Sequence, residues 1–225
     1  MKEYFDVMAR CLLFDGIGQS EMREMLGCLN GEIVETVRGE PVFLEGDPAT
    51  FVGVVLAGAV QIVRDDYFGR RSVLTVVEPG GLFAEAFACA GLESLPVSAF
   101  ALRSGCVLLL DCDRVLNGCA SACASHSRMV CNLLRGTARK NLALTRKIRY
   151  MSQRTTREKL MEFLLDQAKQ QGSPEFVIAY DRQALADYLG VERSAMSAEI
   201  SKLRRDGIID SHASWFRVLA DESIL

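Results

Sequence analysis

Three potential metal ligands have a spacing that would place them on one side of a helix. Cys119, Cys123 and His126 stand at positions i, i+4 and i+7, and residues three and four apart share a helix face. Cys112 is close enough in the chain to be a fourth ligand. Thiolate and imidazole groups in such a set suit zinc or the iron of a cluster. The alternatives are redox sensing by the thiols and simple packing, because cysteine often behaves as a small apolar residue.

A second group of polar side chains lies in residues 181–209, which have the pattern of two crossing helices. Asp181 can cap the first helix, and Gly190 permits the tight turn before the second. Apolar residues at helical spacing give both helices a buried face: Leu185, Ala186, Leu189, Val191, Met196, Ile200 and Leu203. The segment therefore predicts a helix-turn-helix whose second helix enters the major groove of DNA.

The solvent face of that second helix carries groups suited to reading bases. Arg193 can donate two hydrogen bonds to a guanine, and the hydroxyls of Ser194 and Ser197 can contact several bases. Contacts to the phosphate backbone, which position a protein without reading sequence, are expected from Arg182, Gln183 and Lys202. The alternative is a protein-interaction module that has kept this fold and lost DNA binding.

Short β-rich runs, punctuated by glycines, fill the first half of the chain. They are Val42–Leu44, Val52–Leu56, Val60–Val63, Ser72–Val77, Ser98–Leu102 and Val107–Leu110. Short strands at this regular spacing predict an all-β sandwich or barrel. A short helix is expected within it over Phe83–Ala90, and an earlier one over Glu21–Leu29 with Ser20 as its N-cap.

The chain changes to a helical pattern beyond Asp111. Seven positions recur at alternating steps of four and three: Val130, Leu134, Thr137, Asn141, Leu144, Ile148 and Met151. This repeat is typical of a coiled-coil helix that pairs with a partner. The basic residues beside it favour a dimer over packing within one domain. Thr137 and Asn141, the polar members of the seam, could fix the register of the dimer or reach a ligand.

These patterns divide the chain into three parts. They are a β-roll sensor domain over residues 1–118, a dimerisation helix over 119–152 and a winged helix-turn-helix domain over 153–225. The last boundary is placed near Ser152–Arg154, because Thr155 and Glu158 fit a capping box that opens a new helix. Trp215–Leu219 is expected to form the hairpin, or wing, that closes the last domain.

Composition narrows the choice of protein class. The 225 residues carry a net charge of −3, so charge alone does not point to nucleic acid. No signal peptide is visible, and no apolar run approaches the roughly 20 residues of a membrane helix. We therefore expect a cytoplasmic protein without a membrane partner, whose eight cysteines are reduced thiols, metal ligands or redox sensors rather than a disulfide framework. No P-loop, GxSxG elbow or paired histidines are present, so no enzyme is expected.

The chain resembles the Crp/Fnr family of bacterial transcription regulators over nearly its full length. Residues 181–209 carry the resemblance together with five segments of the roll: Arg38–Glu40, Phe43–Asp47, Val54–Val60, Gly69–Arg70 and Pro79–Glu85. It implies an α+β fold: an N-terminal double-stranded, jelly-roll-like β-roll, a long dimerisation helix and a C-terminal winged helix-turn-helix. It also implies a homodimer that binds a near-palindromic operator in double-stranded DNA and contacts RNA polymerase.

The match to the family's cyclic-nucleotide site is incomplete, which argues against cAMP as the effector. Glu85 matches the family's ribose-binding glutamate, but the Arg-Ser pair that holds the phosphate falls on Leu95–Val97. Burying a phosphate without a cation is costly. We expect another effector, or a redox or metal signal. An effector pocket is assigned to Phe83, Glu85, Phe87, Thr137 and Asn141. The alternative is that the phenylalanines fill the roll.

Two further departures from the family concern the operator and the cofactor. Ser194 and Ala198 stand where members similar to the cAMP receptor have Glu and Arg, so a different operator preference is expected. Cys11 and Cys28 do not reproduce the tight N-terminal cysteine cluster of the oxygen-sensing branch. The cofactor is therefore left open, with a metal or an iron–sulfur cluster at Cys112, Cys119, Cys123 and His126 as the possibility.

Overall fold

The computed structural model describes residues 4–68, 70–118 and 123–219. The chain divides into two compact units, residues 1–138 and 139–225, and the division falls inside a long helix. Each unit has its own hydrophobic core. Among the described residues, no helix combines the length and the apolarity that crossing a membrane requires.

Helices flank the sheet of the first unit. They are α1 (Phe5–Arg10), α2 (Gln19–Cys28), α3 (Glu85–Cys89), α4 (Cys112–Asn117) and α5 (Ala124–Met151), which continues into the second unit. The N-cap of α2 is Gly18 rather than Ser20, so that expectation was wrong. The reason is that the Glu21 carboxylate accepts a hydrogen bond from the backbone N–H of Gly18 at 2.7 Å, which starts the helix earlier.

In the described part of the first unit, six antiparallel strands form the roll. They are β1 (Glu32–Thr36), β2 (Pro41–Phe43), β3 (Phe51–Asp65), β4 (Arg71–Val77), β5 (Leu82–Phe83) and β6 (Ser98–Asp111). The order across the sheet is β1-β6-β3-β4, with β2 paired to β6 and β5 paired to β3.

The centre of the roll contains two long strands where the sequence predicts four short ones. Gly58 and Gly105, which separate the predicted runs, lie inside β3 and β6. The pairing register of the two strands shifts beside Gly58, as it does at β-bulges. A Cβ atom on Gly105 would lie 2.1 Å from the carbonyl oxygen of Ala57. Both glycines therefore allow two strands to bend and approach closely without ending.

The second unit is a winged helix-turn-helix. After the last turns of α5 it contains α6 (Thr156–Gln171), β7 (Glu175–Val177), α7 (Arg182–Leu189), α8 (Arg193–Arg205), β8 (Ile209–His212) and β9 (Trp215–Val218). The strands form a sheet in the order β7-β9-β8. The predicted capping box at the start of α6 is confirmed, because Thr155 and Glu158 make both of its reciprocal hydrogen bonds.

Candidate nucleic-acid interface and sensor groups

The turn between α7 and α8 has the geometry that its sequence predicts. The Asp181 carboxylate accepts a hydrogen bond from the backbone N–H of Ala184 at 2.8 Å and so caps α7. Gly190 ends α7 with a φ of +61°, a conformation that glycine adopts at little cost. Because α8 begins at Arg193, only three residues separate the two helices.

The inner faces of α7 and α8 belong to a core that holds α8 in place. Leu185 and Leu189 of α7 and Met196 and Leu203 of α8 are fully buried. Beneath them, the ring of Phe163 contacts three tyrosine rings, those of Tyr150, Tyr180 and Tyr188. This packing fixes which face of α8 is turned outward.

The outward face of α8 presents three of the predicted base-reading groups. Arg193, Ser194 and Ser197 are all exposed. Within the described part of the chain, the side chains of Arg193 and Ser194 have no hydrogen-bond or ion-pair partner. These groups therefore need not give up a protein contact in order to contact a base.

Two of the predicted phosphate-contacting side chains are held by acidic neighbours one helical turn away. The amide of Gln183 donates to Asp187 at 2.9 Å, and the ammonium of Lys202 lies 2.7 Å from a Glu199 carboxylate oxygen. Exposed pairs of this kind contribute little, roughly 0–1 kcal/mol. They position the two side chains on the surface without preventing them from contacting a phosphate.

Arg182 is only partly exposed, although a phosphate contact was expected from it. Its guanidinium carbon lies 4.7 Å from the centre of the Phe216 ring, a cation–π geometry. Its Nη1 atom is buried and has no hydrogen-bond partner among the described residues. Burial, with a smaller contribution from nearby Arg204, lowers the pKa of Arg182. A phosphate contact by this residue stays a prediction.

Other basic side chains of this unit were missed by sequence reasoning. Arg204 and Arg205 are exposed in the last turn of α8, and Arg204 pairs with Asp210 at 3.5 Å. Arg157 of α6 pairs with Asp206 at 3.3 Å. The available signal was the run of basic residues at the end of α8. The helix dipole stabilises positive charge at this end of a helix.

The predicted seam of α5 is exposed over most of its length. Leu134, Leu144 and Ile148 are 69, 60 and 67% exposed. Thr137 and Asn141 are exposed as well, and the Thr137 hydroxyl donates to the carbonyl oxygen of Leu133 at 3.0 Å. Thr137 belongs to the first unit and Asn141 to the second. An effector contact by either residue stays a prediction.

The aromatic residues of the roll pack as a cluster. Phe83 is buried, and its ring centre lies 6.2 Å from that of Phe43 and 6.4 Å from that of Phe51. A Cβ atom on Gly53 would lie 2.1 Å from the Phe83 ring, so this ring occupies the space left by the glycine. Phe87 is partly buried against the same cluster. This geometry corresponds to the alternative in which phenylalanines fill the roll.

The positions that correspond to the family's cyclic-nucleotide site have mixed character. Glu85 is buried at the first residue of α3 and interacts with other groups. Leu95 and Val97, at the positions of the phosphate-binding pair, are buried members of the apolar core. The glutamate therefore lies inside the roll, while the phosphate positions contribute apolar packing.

The structure separates two members of the predicted metal set from a third. The buried imidazole of His126 has its Nδ1 atom 3.7 Å from the Cys123 sulfur, and its Nε2 atom lies 3.2 Å from the carbonyl oxygen of Arg114. Cys112 instead has its sulfur 3.8 Å from that of Cys89. Burial, reinforced by Cys89, raises the pKa of Cys112 to about 12.

The fourth member of that set, Cys119, lies outside the described residues. Across the described ranges, no three histidine, cysteine or acidic side chains gather as a metal site would require. The four-ligand site stays a prediction. The contact between Cys89 and Cys112 was not foreseen, because no spacing in the sequence links residues that come together only in the fold.

Comparison with known proteins gives the class to which this architecture belongs. Residues 33–122 match the family model of the cyclic nucleotide-binding domain, and residues 158–222 match that of the Crp-like helix-turn-helix domain. The nitrogen fixation regulation protein FixK of Azorhizobium caulinodans is 30% identical over 199 residues, which cover 84% of this chain and 75% of FixK.

Two further comparisons differ in how much they cover. The CRP-like cAMP-activated global transcriptional regulator of Mycobacterium tuberculosis is 31% identical over 80 residues, 36% of this chain and only 35% of that relative's length. The crystal structure of DNR from Pseudomonas aeruginosa covers 100% of this chain and 97% of its own, with a TM-score of 0.52. Its 20% identity limits that likeness to the fold.

The two domain matches and the likeness to FixK agree with the architecture described above. The chain belongs to the Crp/Fnr family of transcription regulators. The resemblance and the fold class predicted from the sequence are confirmed.

Proposed function

We propose that this regulator is a cytoplasmic homodimer that reads a near-palindromic operator with α8 and responds to a signal other than cAMP. The observation that carries the proposal is Arg193 at the N-terminus of α8, which is exposed and has no side-chain partner among the residues that the structure describes. In a helix-turn-helix, the first residues of the second helix contact base edges, and arginine donates two hydrogen bonds to guanine.

The residues around Arg193 support a half-site that differs from that of relatives similar to the cAMP receptor. Ser194 and Ser197 are short, exposed hydroxyl donors and acceptors, and Ala198 offers no polar group. Among residues 193–198, Arg193 is therefore the only long side chain that can donate hydrogen bonds. We infer that one guanine in each half-site dominates the base preference, flanked by positions of weaker preference.

Exposed apolar groups on α5 support the dimer. Leu134, Leu144 and Ile148 recur at heptad spacing and leave large apolar side chains in water. Covering them with the same helix of a second chain removes that apolar area from solvent at about 25 cal/mol per Å². A twofold dimer would also present two copies of α8, as a near-palindromic operator requires.

The buried Leu95 and Val97 argue against cAMP as the signal. A cyclic phosphate at those positions would lose its hydration without gaining a cation. The cAMP-activated relative supports this effector only weakly, since it matches little more than a third of this chain. Isothermal titration calorimetry tests the point: we expect no cAMP binding at micromolar concentrations, and a micromolar Kd would overturn it.

Contact with RNA polymerase is proposed from family membership alone.

Selection from a pool of random duplexes tests the DNA-binding function. We expect enrichment of an inverted repeat, and a steep loss of affinity for it as salt rises, because phosphate contacts release counterions. Failure to enrich any sequence, with no salt-dependent binding to duplex DNA, would instead support the protein-interaction module.

A further inference from the structure

A pair of thiols lies between two helices of the first unit. Cys89 is the last residue of α3 and Cys112 is the first residue of α4. Their sulfur atoms are 3.8 Å apart, although 23 positions separate the residues in sequence. A disulfide bond holds its sulfurs about 2.05 Å apart, so a small side-chain adjustment would bring this pair to bonding distance.

The two thiols differ in how they meet solvent. Cys89 is exposed, whereas Cys112 is only 3% exposed and packs in the core of the unit. A small oxidant therefore approaches Cys89 more readily than Cys112. Partial burial raises the pKa of the Cys89 thiol, so its attack on an oxidant should speed up as the pH rises. At 3.8 Å, the shielded thiol of Cys112 can attack an oxidised sulfur of Cys89 from within the protein.

We propose that Cys89 and Cys112 form a reversible dithiol–disulfide site that is oxidised by a hydroperoxide. The sulfur of Cys89 attacks the terminal oxygen of the peroxide, the O–O bond breaks, and water or an alcohol leaves. The product is a sulfenic acid on Cys89. The sulfur of Cys112 then attacks the sulfur of Cys89, the S–O bond breaks, and water leaves as the S–S bond forms.

The electron and proton balance of this reaction is complete. The two thiols lose two electrons, which reduce the peroxide, and their two protons leave in the products. An external dithiol restores the pair by exchange. The bond would join α3, which begins with Glu85, to α4, the helix that precedes α5 in the chain. Oxidation would therefore fix the two helices to each other.

Peptide mapping of the full-length protein tests the site without any DNA-binding readout, so its failure would not be confused with failure of the proposed function. The reduced protein is treated with hydrogen peroxide, free thiols are alkylated, and tryptic peptides are analysed by mass spectrometry. We expect a linked pair of peptides whose mass is two hydrogen atoms less than the sum of the two reduced peptides. Dithiothreitol should separate the pair. Fragmentation must place the bond at Cys112, because Cys106 lies in the same tryptic peptide.

Two variants control this experiment. Cys89→Ser changes an exposed thiol to a group of similar shape and should abolish the linked pair, whereas Cys131→Ser, at an exposed thiol of α5, should leave it intact. Sulfinic acid on Cys89 without a linked peptide would overturn the proposal. A Cys89-dependent link that joins two chains, or one that ends at Cys106, would overturn it as well.

Discussion

Helix α8 exposes polar side chains to solvent, whereas the interior of the roll is filled by aromatic side chains. On α8, Arg193 and Ser194 stand in solvent above a closed apolar core. In the roll, the rings of Phe43, Phe51 and Phe83 pack on one another. The polar side chains of α8 can contact a polyanion without rearrangement, whereas the rings of the roll occupy the space that a ligand would need. We therefore expect the proposed DNA contacts to need no rearrangement of α8, and the proposed signal to act elsewhere than at this ring cluster.

The core beneath α8 offers the largest test of that comparison. Phe163 is fully buried among Tyr150, Tyr180 and Tyr188. Phe163→Ala should lower the free energy of unfolding of the second unit by about 3–5 kcal/mol, since it leaves a cavity. The single tryptophan, Trp215, lies in β9 of this unit, so its fluorescence in urea measures the change.

The control for that experiment is Val177→Ala, at a side chain that is largely exposed. Its effect should stay within about 0.5 kcal/mol. If the two variants shifted the fluorescence transition equally, Phe163 would not be part of the core that holds α8.

The packed ring cluster of the roll gives the next largest expected effect. In Gly53→Ala the added Cβ would lie 2.1 Å from the Phe83 ring, and overpacking of this kind costs about 1–3 kcal/mol. Hydrogen exchange of the β3 and β6 amides measures the loss of stability. Adding Phe83→Leu in the same chain should recover part of it. A negligible cost of Gly53→Ala would mean that the ring can turn aside, as it would in a roll with an open pocket.

The third test concerns the exposed seam of α5, which a second chain would cover in the proposed dimer. Leu144→Asp puts a charge on the seam and should weaken dimerisation by about tenfold or more, equivalent to at least 1.4 kcal/mol. Leu142→Asp is the matched control, because Leu142 is similarly exposed, at 58%, but lies off the heptad positions. Sedimentation velocity over a range of concentrations reports both. Equal effects would contradict the seam.

Features that depend on neighbouring residues were predictable from the sequence. The caps at Asp181 and Thr155 and the turn at Gly190 need only a few consecutive residues, and all three are present. The helix-turn-helix is built from such signals, and so its limits and exposed face could be read in advance.

Features that depend on distant residues were not predictable. Gly58 and Gly105 read as the ends of strands, but they mark bends within β3 and β6, because each faces backbone of the other strand. The same reason hid the Cys89–Cys112 pair, whose members meet only after the roll has formed. The wrong cap at Ser20 is a different kind of miss, because the Gly18–Glu21 hydrogen bond spans only three residues. The glutamate three positions after Gly18 was the available sequence signal.

The central claim, that α8 reads DNA through Arg193, is tested most directly by fluorescence anisotropy of Arg193→Ala on the selected operator and on single-base variants of it. Arg38→Ala, an exposed arginine of the first unit, is the control. Arg193→Ala should lose roughly 1–3 kcal/mol of specific binding and relax preference at one base pair of each half-site, while Arg38→Ala binds as the unaltered protein does. Unchanged affinity and preference in Arg193→Ala would contradict the placement of α8 in the major groove.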